Sequence, residues 1–233
     1  MAFNAKILTI FPEIFPGFLG YSVMGKALEK GLWSYKTVNI RDFATDNYKT
    51  VDDTPFGGGA GQIMKADVVD AAIKATYHTG ALLYMTPKGK PLSQDTVIRL
   101  AKEDEITILS GRFEGIDERV IESWPFEQIS IGDFVLSGGE PAALTLMDAV
   151  LRYVPGVLGN ADSVTDETFS DDGLLEYPQY TRPAVWNGKS VPEVLLSGHH
   201  KNIEAWRKEQ SMKITQQNRP DIWEKYKAKH KKG

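Results

Sequence analysis

Three short segments of this 233-residue chain carry the residue types that a nucleoside pocket needs. They are Met85-Thr86-Pro87-Lys88-Gly89, Ser110-Gly111-Arg112-Phe113-Glu114-Gly115, and Ile131-Gly132-Asp133-Phe134, the last continuing to Ser137-Gly138-Gly139-Glu140. Each follows or ends an apolar run that reads as a strand: 81–86, 106–109 and 128–131. In an open parallel sheet, ligands bind in the crevice beyond the carboxyl ends of the strands. Glycines there let backbone amides and carbonyls approach a flat ligand closely. Phe113 and Leu136 are placed to wall an adenine. Taken singly, such a loop is more often an ordinary strand-to-helix turn. Three in succession on one edge bring a nucleoside pocket to even standing with that reading.

Other chemistries are excluded or unsupported. The chain has no cysteine, which removes disulfides, thiolate zinc sites, iron–sulfur clusters and cysteine nucleophiles. There is no Walker-type Gly-Lys-Ser/Thr loop and no Gly-x-Ser-x-Gly elbow. The cluster Gly57-Gly58-Gly59-Ala60-Gly61 does not fit Gly-x-Gly-x-x-Gly and follows a long loop rather than the first strand. His78, His199, His200 and His230 lack metal-ligand spacing. No apolar run approaches the ~18 residues that span a bilayer. The stretch Ile7–Phe11 ends at Pro12, too short for a signal peptide. A cytoplasmic protein is expected, with no membrane or DNA partner.

The elements that must position these loops follow from the pattern of apolar residues. Strands are expected at 6–11, 37–40, 81–86, 106–109 and 128–131. Helices are expected from Ser22 (as cap) to Lys30, at 66–77, from Ser93, at 117–124 and from about Glu140 to Tyr153. Strand–helix alternation with nearly continuous apolar strands predicts an α/β fold, a parallel sheet covered by helices. The expected domains are 1–158, binding a cofactor, then an acidic linker at 159–172, and a small helical domain at 173–233. The linker reading rests on self-repelling charge: between Arg152 and Arg182 there is no basic residue. Residues 199–233 hold ten Lys and Arg against four acids, a formal +6, leaving −10 on the rest. A basic end on an acidic body suits a polyanionic partner, although a solvated helix surface is the commoner origin of such a run.

Six blocks of the sequence go further than patterning. They are Leu8–Glu13, Val51-Asp52-Asp53-Thr54-Pro55-Phe56-Gly57-Gly58-Gly59-Ala60-Gly61, Gly111–Arg119, Ser130–Glu140, Pro155–Gly159 and Gly173–Pro183. On these blocks the chain resembles the bacterial tRNA (guanine-N1)-methyltransferase family over essentially its whole length. The resemblance implies a homodimer built on a deep trefoil-knotted α/β domain of SPOUT type, a topology that composition and periodicity do not reveal. It implies S-adenosylmethionine as methyl donor, held by Met85, Pro87, Gly111, Glu114, Ile131, Gly132, Phe134, Leu136, Gly138 and Gly139. The implied acceptor is N1 of the tRNA guanosine just 3′ of the anticodon, numbered 37, whose methylation guards the reading frame. The family pocket is shared between protomers. Magnesium dependence is implied too, with Glu114 or Asp172 as holders, although no metal motif is visible.

N1 of guanine carries a proton, and as it leaves, negative charge moves onto O6. A site for this reaction needs a base near N1 and a cation near O6. By position in the resemblance, Asp172 is the base and Arg152 the cation. The adjacent Asp171 leaves the register of the base open by one residue. Asp52 and Gly61 match family positions near the bases of the substrate, and a carboxylate suits the N1 and N2 donors of guanine. Asp52 capping a turn beside Asp53 is the alternative reading. The basic end would supply phosphate contacts. Two other functions stay in view: a knotted methyltransferase acting on another RNA nucleoside, and a non-catalytic RNA-binding module.

Overall fold

The computed structural model describes residues 2–158 and 173–230. Its elements begin with strand β1 (Phe3–Thr9), helix α1 (Ser22–Glu29) and strand β2 (Trp33–Asn39). The two-residue strands β3 (Asp52–Asp53) and β4 (Ile63–Met64) come next, then α2 (Ala66–Thr76), β5 (Ala81–Pro91) and α3 (Gln94–Leu100). Strand β6 (Glu105–Ser110), α4 (Glu118–Ser123), β7 (Phe126–Ser130) and α5 (Glu140–Leu151) complete the first unit, Met1–Asn160.

Five strands form one wholly parallel sheet in the order β2-β1-β6-β5-β7. Successive side chains of a strand face opposite sides, and here both sides are covered. Ala5, Ile7, Leu83, Met85, Ile106 and Ile108 join one core with α1, α3 and α5. Leu8, Leu82, Tyr84 and Leu109 join a second core with α2 and α4. The expected α/β fold with a helix-covered parallel sheet is what the chain adopts.

Several local expectations shift. β1 lies at Phe3–Thr9, because the chain turns out of the sheet where the Phe11 N–H donates to Thr9 Oγ1 ahead of Pro12. Ser22 does not cap α1; it is the first helical residue, at φ 54°, and Tyr21 holds the cap position. Pro87-Lys88-Gly89 bulges β5 without ending it, and pairing with β7 resumes at Lys90. Gly89 permits this close return: a Cβ there would stand 2.4 Å from the Ile129 nitrogen. Ser93 caps α3 as expected, its hydroxyl accepting from the Thr96 N–H.

The second unit, Ala161–Gly233, is mainly helical in its described part. A hairpin of β8 (Val185–Trp186) and β9 (Lys189–Ser190) turns through Asn187 and Gly188, both at positive φ. An Asn-Gly pair is the usual chemistry of such a turn. Helices α6 (Glu193–Leu196), α7 (His200–Asn218) and α8 (Pro220–His230) follow. Ile203, Trp206, Arg207 and Gln210 share the half-buried side of α7. The linker expected at 159–172 lies outside the described residues. No helix among the described residues is long and apolar enough to cross a membrane.

Candidate functional site

The bulge within β5, the carboxyl ends of β6 and β7 and the loops that leave these two strands enclose a cavity of about 300 Å³, a size within the range of ligand sites. Met85, Pro87, Gly111, Glu114, Ile131, Gly132, Phe134, Leu136, Gly138 and Gly139 all line it. The loops touch through their backbones. The Gly139 N–H donates to the Gly111 carbonyl at 2.8 Å. A Cβ on Gly139 would stand 2.8 Å from the Ser110 Cα and 2.9 Å from the Gly111 nitrogen. Only glycine fits there. Phe113 sits at φ 60° and is 46% exposed, an unusual backbone for an aromatic residue and one that concentrates at functional sites. The 112–115 turn that holds it is fixed by Gly115 N–H to Arg112 carbonyl and by Glu114 N–H to Gln62 carbonyl. With Phe134, Val135 and Leu136 also exposed, the opening offers apolar surface that a flat aromatic ligand would cover. Beneath it lies Tyr84, whose phenol burial pushes above its ordinary pKa, so the hydroxyl stays protonated.

A charged pair that the sequence reading did not single out lies at the rim. Glu140 is fully buried, its Oε2 accepting from Arg112 Nε and its Oε1 from Thr9 Oγ1, both at 2.7 Å. Arg112 also donates through Nη1 to the Ser137 carbonyl at 3.1 Å. The only signal in the sequence was an acid at the start of a helix, where the helix dipole favours it.

The proposed substrate residues join this region through β3 and β4. Asp52 pairs with Met64, and the Met64 N–H donates to the Gly115 carbonyl at 2.9 Å. Gly61 packs on Glu114, for a Cβ there would meet its Cγ at 2.4 Å. It is Asp53 that takes the turn, accepting from the Thr54 N–H at 2.7 Å. The half-buried Asp52 carboxylate makes no hydrogen bond among the described residues.

Arg152 stands apart. It caps the carboxyl end of α5, whose amino end meets the cavity, and twelve residues of helix extend about 18 Å. Arg152 is not among the residues lining the cavity. Asp172, the proposed base, lies outside the described residues. The segment just after it is anchored: Leu174 is buried and the Leu175 N–H donates to Thr215 Oγ1 at 2.9 Å. Among the described residues no three His, Asp or Glu side chains gather as a metal site would require.

The description tRNA (Guanine-1)-methyltransferase TrmD belongs to a family model that matches residues 3–225. The chain is 56% identical over 229 residues to a tRNA (guanine-N(1)-)-methyltransferase of Rhodospirillum rubrum, covering 98% of this chain and 95% of that one. Proteins of the same name from Bartonella tribocorum and Ehrlichia ruminantium (strain Gardel) are 54% and 55% identical. They cover 97% and 95% of this chain, and 97% and 96% of their own length is matched. Glycine loops that admit no side chain, meeting around one cavity at the carboxyl edge of a parallel sheet, thus coincide with similarity along nearly the whole sequence, and the chain belongs to the tRNA (guanine-1)-methyltransferase family.

Proposed function

We propose that this protein transfers the methyl group of S-adenosylmethionine to N1 of the tRNA guanosine at position 37, just 3′ of the anticodon. The observation that carries the reading is the convergence of all ten expected cofactor positions on one cavity whose loops are too close for any side chain at Gly139. The cavity suits the cofactor: backbone amides and carbonyls reach a nucleoside closely, and Phe113 and Leu136 flank the opening. When bound, the cofactor supplies a methyl group already electrophilic on its sulfonium, which leaves as a thioether.

The protein's own part is to prepare the acceptor. Asp172 takes the N1 proton, and Arg152 donates to O6 as charge collects there. General-base catalysis contributes about 10²–10⁴-fold, and a preorganised donor at a developing oxyanion about 10²–10³-fold. Asp52, whose carboxylate makes no hydrogen bond among the described residues, accepts from guanine donors, and Gly61, packed directly on Glu114, lies beside the bases of the substrate.

The working form in this reading is a homodimer with a shared pocket, acting on tRNA in the cytoplasm. Support comes from α5: Ala142 near its amino end lines the cavity, Arg152 ends the helix about 15 Å further along its axis, and a second copy brings another Arg152. The sheet is read as a deep trefoil knot, supported by the segment after β7 returning past β5 to the loop after β6. The domains keep the division 1–158, 159–172 and 173–233, with the basic helices gripping tRNA phosphates. For magnesium, Glu114 offers one carboxylate and the described residues hold no fuller donor set, so no step is assigned to a metal. The test is methyl transfer to a tRNA transcript carrying guanosine or adenosine at position 37. Transfer to the guanosine form alone supports the reading, and equal transfer to both refutes it.

A further inference from the structure

We propose that Glu140 and Arg112 form a positioning latch that sets how closely two of the cofactor loops stand, and through that spacing the affinity for S-adenosylmethionine. The inference rests on the reading of the cavity given above. Its starting point is a cost. Glu140 has no exposed surface, and taking a carboxylate out of water costs several kcal/mol unless the geometry of its partners is excellent. A helix start needs no such burial, since an exposed Ser, Asp or Asn caps as well.

The partners come from distant parts of the chain. Thr9 lies 131 residues earlier and Arg112 28 residues earlier. They close a circuit. Thr9 Oγ1 donates to Glu140, Arg112 Nε donates to Glu140, and the guanidinium lies 4.6 Å above the Phe11 ring. The Phe11 N–H donates back to Thr9 Oγ1 at 3.0 Å. The carboxyl end of β1, the loop after β6 and the start of α5 are thereby fastened at one point.

That point faces the cavity. Arg112 lines it together with Gly138 and Gly139. A Cβ on Gly138 would stand 2.2 Å from Arg112 Nε, so the guanidinium lies flush against the loop, which it also holds through the Ser137 carbonyl. Loosening Glu140 frees Arg112, and with it the wall formed by Gly138 and Gly139. A misplacement near 1 Å can change a site's performance about 100-fold. A second ion pair on the same two strands provides the contrast. Lys6 and Glu105 join β1 and β6 at 2.6 Å but touch none of the cavity.

The experiment measures S-adenosylmethionine binding by calorimetry, and thermal stability, for the full-length wild type, Glu140→Gln, Arg112→Lys, their double variant and Glu105→Gln. The expected result is a Kd raised about 10- to 100-fold in each latch variant, with the double variant no weaker than the worse single one, as members of one circuit behave. KM for the cofactor rises while KM for tRNA stays within about twofold. Glu105→Gln lowers Tm and leaves Kd unchanged. Wild-type Kd in folded Glu140→Gln and Arg112→Lys overturns the latch, as does full additivity in the double variant. Should Glu140→Gln fail to fold, Arg112→Lys, altered at the more accessible end, decides the question alone. A wild type that binds no S-adenosylmethionine overturns the cavity reading itself, and the latch with it, whereas failure of the latch leaves wild-type binding intact.

Discussion

Gly139→Ala is the smallest change that tests the cavity. The added Cβ would stand 2.8 Å from the Ser110 Cα and 2.9 Å from the Gly111 nitrogen, both backbone atoms, where ordinary contact begins at 3.4 Å. The loops must part by about 0.6 Å, stretching the 2.8 Å hydrogen bond from Gly139 to Gly111 beyond the normal limit of about 3.2 Å. Losing that bond costs about 1 kcal/mol, and overpacking a tight site costs about 1–3 kcal/mol more. If opening of the loops absorbs the whole sum, about 2–4 kcal/mol, S-adenosylmethionine binds about 30- to 700-fold more weakly, at 1.4 kcal/mol per tenfold. Titration calorimetry on the purified variant reads this directly. Gly31→Ala is the matched control, with a positive φ of 69° but nothing within 4 Å of its Cβ. It lowers stability and leaves cofactor affinity alone. A wild-type Kd in Gly139→Ala would show that the cofactor does not occupy this cavity.

Three further outcomes are expected. Asp172→Asn lowers methyl transfer about 10²–10⁴-fold at unchanged cofactor affinity in single-turnover assays; collapse in Asp171→Asn with activity kept in Asp172→Asn would move the base by one position. Lys201→Ala and Lys225→Ala, at lysines with no ion pair among the described residues, weaken tRNA binding. Each lowers the slope of log affinity against log salt by about 1, while salt-insensitive binding would remove these helices from the tRNA interface. The Asp70 carboxyl is held below its ordinary pKa chiefly by its hydrogen bond to Lys74, with the Trp124 indole as a second donor. A depressed carboxylate stabilises above its unfolded pKa of about 3.9 and loses that contribution as pH falls through its lower folded value. The Tm gap between wild type and Asp70→Asn is therefore full near about pH 6 and shrinks toward about pH 3; a gap independent of pH would contradict this role.

How much was legible in the sequence depends on how local each signal was. The α/β fold was legible because the nearly continuous apolar runs of β5 and β6 and the helical spacing in α2 and α5 are local, and both faces of the sheet are buried. The cavity was legible because its glycines fall directly after apolar strands. The hairpin at 185–190 was not read, since two-residue strands carry no period and only Asn187-Gly188 marks it. Ser22 looked like a cap from its type alone, but α1 begins at Ser22 itself, with Tyr21 in the cap position and no side-chain capping bond. The Glu140–Arg112–Thr9 circuit joins residues up to 131 apart, so no window along the chain displays it. The separation of Arg152 from its own cavity follows from the length of α5, a quantity the sequence held without showing which end met the ligand.

The chemistry itself is tested most directly by the identity of the product nucleoside. Wild-type protein is incubated with a tRNA transcript and S-adenosylmethionine carrying an isotopically labelled methyl group, and the RNA is digested to nucleosides for mass spectrometry. The account predicts that the label appears as 1-methylguanosine and nowhere else. Label in another base, at another ring position of guanine or on ribose would contradict it.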